Sequence, residues 1–125
     1  MEMEKSSPEL IEFFTNALPR DPDVEHKKMF GYPTCFVKGN VFTGLHGSSM
    51  TLRLGEEKRQ EFIGNYNAHL FEPMPGRPMR EYVVVPTEVL ADTGLLAIWL
   101  QESLTYVRSL PIKEKKTKVV KARVS

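Results

Sequence analysis

The chain has 125 residues, 41% of them apolar and 26% charged, with a formal net charge of +1, which fits one globular domain with its own core and is too short for two. No apolar run approaches the roughly 20 residues of a membrane-spanning helix, and Met-Glu-Met-Glu-Lys at the start lacks the basic and apolar regions of a secretory signal. A single cysteine, Cys35, excludes an internal disulfide, so a cytoplasmic home with no membrane contact is expected.

The net charge hides an asymmetry. Lys113, Lys115, Lys116, Lys118, Lys121 and Arg123 against Glu114 give residues 111–125 a charge of +5, which leaves −4 on residues 1–110. The division expected is an acidic domain over 1–110 and a basic, disordered tail over 111–125.

In chain order, Ser7-Pro8 is a helix start: a hydroxyl to cap free N–H groups, then a residue with no N–H to satisfy. Leu10, Phe13, Phe14, Ala17 and Leu18 follow on one helical face, and Pro19 and Pro22 end it. From Glu25 the pattern turns to strands. Thr34–Lys38 and Val41–Leu45 flank Gly39-Asn40, which reads as a hairpin turn, and Met50, Leu52 and Leu54 alternate with polar neighbours. Gly55 breaks that strand, and Glu56–Ile63 reads as a short helix with acids at its positive end. Asn65–Arg80, with Pro73, Pro75, Gly76 and Pro78, reads as a stiff loop. Glu81–Val85 is a β-branched strand, Thr87–Ala91 one helical turn, and Asp92 caps a long helix whose Leu96, Trp99, Leu100, Ser103 and Val107 share a face. Tight turns between consecutive strands imply antiparallel pairing, so the fold class expected is α+β, a small antiparallel sheet with helices on one face.

Chemistry is sparse in this sequence. His26, His46, His69 and Cys35 show no metal-ligand spacing, and no phosphate-binding loop or Ser/His/Asp signature is present. Cys35 with His46 as base is a conceivable nucleophile, but Thr-Cys-Phe-Val inside a strand favours a packed, inert thiol. Arg77 and Arg80, beside prolines, suit an anion or partner contact; alternatively each pairs with Glu72 or Glu81 to pin the loop. Met74 and Met79, with Phe71, would add an apolar patch there. The basic tail, having no aromatic to stack on bases, suits at most nonspecific nucleic-acid binding.

Several of these segments together resemble a known family. Lys28-Met-Phe-Gly31, Phe36-Val37-Lys38-Gly39-Asn40-Val41-Phe42, Leu52-Arg53-Leu54, the Met-Pro-Gly-Arg-Pro-Met loop and Tyr82 are similar, in order and spacing, to the N-terminal domain of the TfoX/Sxy proteins, regulators of bacterial competence. The resemblance spans roughly residues 8–110 and implies an α+β domain with an antiparallel sheet, no established catalytic residue and no cofactor. Where the family commonly has a second glycine and then Tyr-Gly, this chain has Gly31-Tyr32-Pro33-Thr34, so the turn into the next strand differs. In place of the regulators' second domain stands the basic tail, so a stand-alone relative is expected. The functional expectation is a non-enzymatic regulatory domain of transcription or competence type, acting through a protein partner at Arg77, Arg80, Met74 and Met79. The alternatives are a nonspecific nucleic-acid binder and a small-molecule-binding protein or enzyme. A homodimer paired through a free edge strand is a further possibility on sequence grounds.

Overall fold

The first four strands follow one another as hairpins, and the helices that cover the sheet precede, interrupt and follow the strands. The structure, a computed structural model, describes residues 5–29 and 31–111. Helix α1 (Pro8–Ala17) is followed by strands β1 (Val24–Met29), β2 (Tyr32–Val37), β3 (Asn40–His46) and β4 (Ser49–Arg53). Helix α2 (Glu56–Tyr66), strands β5 (His69–Met74) and β6 (Arg77–Val84), the short helix α3 (Thr87–Leu90) and the long helix α4 (Thr93–Arg108) complete it. The six strands form one sheet in the order β1-β2-β3-β4-β6-β5, every neighbouring pair antiparallel. The α+β class is as expected, and β1 and β5 are the sheet's edges.

The caps follow the sequence. Ser7 Oγ accepts the Leu10 N–H at 3.1 Å, and Asp92 Oδ1 accepts that of Leu95 at 3.1 Å. Leu96, Trp99, Leu100, Ser103, Leu104 and Val107 of α4 are buried at helical spacing. They meet Cys35, Val37, Phe42, Met50, Leu52 and Val83 of the sheet, with Phe14 of α1 and Phe62 of α2 in the same cluster. All the helices therefore close one face of the sheet.

A bulge ties α4 to that face. Cys35 opposes Thr43 and Phe36 opposes Val41, so Phe42 is an extra residue in β3. The Ser103 hydroxyl of α4 lies 2.8 Å from the Phe42 carbonyl oxygen and 2.7 Å from that of Arg53. Its one proton serves either acceptor, which provides a buried polar anchor inside an apolar interface.

Three local expectations need correction. The β2–β3 turn is Lys38-Gly39, with φ of 53° and 81°, rather than Gly39-Asn40. Both positions are left-handed, as a two-residue turn matched to strand twist requires, and Asn40 already pairs with Val37. Helix α2 runs on through Gly64 to Tyr66, because Phe62 and Tyr66 pack against Trp99 with ring centroids 4.9 and 6.0 Å away and Tyr66 Oη accepts the indole N–H at 3.2 Å. Asn67, at φ 52°, then closes it. Most of the expected stiff loop is a β-hairpin: Pro75-Gly76 is its turn, with Gly76 at φ 79°, and the Glu72 carboxylate accepts the Gly76 N–H.

Candidate functional site: the open face of the sheet and its hairpin arm

The face of the sheet opposite the helices is defined by strand alternation. Cys35 and Val37 point into the core, so Tyr32, Thr34 and Phe36 point away from it; by register Val41, Gly44, His46, Thr51, Arg53 and Tyr82 join them. Among the described residues none from a helix lines this face, yet Tyr32, Thr34 and Thr51 are buried there. The sheet's own curvature covers them.

That curvature comes from the β5–β6 hairpin. Its pairing slips between Leu70 and Phe71 and again between Phe71 and Met74, so Leu70 opposes Val83 while Phe71 opposes Met79. Such slips bend and twist a ribbon. The bent arm brings the Phe71 ring to 5.2 Å from His46, edge-on, although β4 and β6 separate their strands in the sheet. His46 in turn lies 5.0 Å from Tyr32 across the β2–β3 ladder. Between arm and sheet is an open cavity of about 340 Å³, lined among others by Met29, Phe36, Arg53, Pro73, Met79 and Tyr82.

The electrostatics of this face centre on Arg53. Its Nε donates to Glu81 Oε1 at 2.8 Å, its Nη1 to the Val41 carbonyl at 3.4 Å, and its guanidinium sits 5.5 Å from the Tyr82 ring centre. Burial raises the phenol pKa of Tyr82 and that of Tyr106 on α4. Both hydroxyls therefore stay protonated at neutral pH.

The sequence-nominated arginines sit on the arm. Arg77 and Arg80 are exposed, and among the described residues neither has a carboxylate at ion-pair distance. Glu72 and Glu81, the acids expected to pin them, are used elsewhere: one caps the arm's turn and the other holds Arg53. Met74 is 60% exposed and Met79 39%. The expected patch with Phe71 is divided, since Phe71 and Met79 line the cavity whereas Met74 does not.

Cys35 and His46 lie on opposite faces of the sheet, so they form no dyad. The Cys35 thiol is fully buried, 3.9 Å from His26 Nδ1, and burial pushes its pKa up to about 12. His69 lies on the edge strand. Among the described residues no three His, Cys, Asp or Glu side chains converge as metal ligands, and no helix is long and apolar enough to cross a membrane. The basic residues Lys113, Lys115, Lys116, Lys118, Lys121 and Arg123 lie outside the described residues.

The TfoX N-terminal domain model matches residues 16–106, most of the chain. The chain belongs to the TfoX N-terminal domain family. No curated protein matches it in sequence. In this TfoX N-terminal domain, the Met-Pro-Gly-Arg-Pro-Met segment that carried the resemblance is the tip and return strand of the arm, and Leu52-Arg53-Leu54 places the arginine of the open face. The aromatic wall of Tyr32, His46, Phe71 and Tyr82 is what the sequence reading missed. Its signal was there: Tyr32, Thr34 and Phe36 alternate with Cys35 and Val37, making a strand apolar on both faces in a sheet whose helices suffice for one.

Proposed function

We propose that this domain is a non-enzymatic regulatory module that engages an acidic surface of a protein partner through the β5–β6 arm. The observation that carries the reading is a pair of guanidinium groups, Arg77 and Arg80, with no carboxylate at ion-pair distance among the described residues, beside exposed Met74 on a bent hairpin. Arginine makes bidentate contacts to carboxylates, and methionine adapts to apolar surface, so the combination suits a partner with acids around an apolar spot. Family membership supports the regulatory reading. The test is a photo-crosslinking amino acid in place of Met74, with adducts identified by mass spectrometry from the native cytosol. A discrete adduct is expected, and it should vanish when Arg77→Ala and Arg80→Ala are added. An identical adduct in the folded double variant would remove the arm from the contact.

The +5 charge of residues 111–125 supports a subsidiary reading, sequence-independent attraction of this segment to nucleic acid. A salt-sensitive mobility shift that survives deletion of residues 112–125 would eliminate it.

A further inference from the structure

The open face has the construction of a receptor, independently of what the arm contacts. A row of small side chains crosses its middle: Thr34 opposes Gly44, Gly44 opposes Thr51, and all three are buried. Gly44 is not demanded by backbone geometry, since its φ is not positive. Nor is it demanded by crowding, since a Cβ there would sit 3.4 Å from the Pro33 carbonyl and from Thr34 Oγ1, which is close but not excluded. Its missing side chain instead deepens a floor. Around that floor stand the rings of Tyr32, Phe36, His46, Phe71 and Tyr82. A volume of about 340 Å³ lies at the lower end of the roughly 300–1,000 Å³ of small-molecule sites.

The charge of the lining selects among occupants. Among the described residues, Arg53 is the one Asp, Glu, Lys or Arg side chain that lines the cavity, and no carboxylate lines it. Glu81 grips the Nε of that guanidinium without being a wall residue. Aromatic walls alone would also suit a cation. A fixed guanidinium among them disfavours a cation and gives an acid a charged donor. A flat floor between aromatic sides favours a planar ring over a branched or flexible chain.

We propose that this cavity binds a small planar aromatic carboxylate, with its ring over Thr34, Gly44 and Thr51 and its carboxylate at Arg53. The arm contributes Phe71, Pro73 and Met79 to the walls, so the occupant contacts both the sheet and the arm.

The test is an NMR titration of the full chain with benzoate, naphthoate and indole carboxylate, beside neutral naphthylmethanol and cationic naphthylmethylamine. At least one acid is expected to give saturable shifts at the Thr34, Gly44 and Thr51 amides with a Kd below about 1 mM, and to bind at least tenfold more tightly than the amine. Arg53→Met should weaken that acid about tenfold and leave naphthylmethanol unchanged. Gly44→Val, which fills the floor with a strand-compatible side chain, should abolish both while the α4 resonances stay in place. The proposal is overturned if none of the acids saturates by about 5 mM, if amine and acid bind equally, or if shifts map to the helix-covered face. Unchanged binding in a folded Gly44→Val variant overturns it as well.

Discussion

On one face of the sheet, α4 lays Leu96, Leu100, Leu104 and Val107 against Phe42, Met50 and Leu52, with the Ser103 anchor within the contact. On the other face, aromatic side chains are also present but among the described residues no helix covers them, and the bent β5–β6 arm closes the face only in part. The first arrangement removes water from nearly every side chain, the usual source of stability. The second buries the floor and leaves the walls partly wet, so it contributes less to stability and keeps a space. Aromatic side chains on both faces therefore do not mean equal roles; what covers each face decides.

Truncating one large side chain on each face separates a core from a receptor. Leu100→Ala, fully buried under the sheet, is expected to cost about 2–5 kcal/mol in denaturant unfolding. Phe71→Ala, half-buried at the cavity wall, should cost less than half as much. Equal costs would make the open face a second core rather than a receptor. Next in size is Ser103→Ala, which leaves the Phe42 and Arg53 carbonyls without their helix donor and is expected to cost about 1–3 kcal/mol. A cost near zero would mean that apolar contact alone holds α4 to the bulge.

The smallest effect concerns the rim of the covered face, where Arg108 at the end of α4 donates to Asp21 at 2.6 Å and lies 3.6 Å from Asp23. The hydrogen bond from Arg108 holds the Asp21 carboxyl below its ordinary value of 3.8. The native state therefore binds fewer protons there than the unfolded chain. The stabilisation is full above the unfolded value and is lost as pH falls through the lower, folded one. Arg108→Gln should lower the melting temperature at neutral pH, and the gap from wild type should close on acidification below about pH 4. A gap independent of pH would show that the substitution acts through packing instead.

The parts of the fold that the sequence exposed most clearly were those with local causes. Ser7-Pro8 and Asp92 sit where helix caps must, the α4 face recurs at helical spacing, and the β2, β3 and β4 alternation marks its strands. The arm was harder to read. Pro73, Pro75 and Pro78 are breakers in a local reading, yet Pro73 lies in the edge strand β5, Pro75 in the turn, and Pro78 in the part of β6 that reaches beyond its pairing with β4. The length of α2 was hidden similarly, since Gly64 looks like a stop until Trp99 offers Phe62 and Tyr66 a partner.

The amino-acid sequence alone thus determined the family, the α+β class, the capped helices and the burial of Cys35, because each depends on residue type and short-range spacing. That Glu72 and Glu81 are engaged away from Arg77 and Arg80, and the union of Tyr32, His46 and Phe71 around a cavity, were settled only in three dimensions. They depend on two register slips and the bend that follows, and register is set by the pairing of whole strands, which no local pattern encodes.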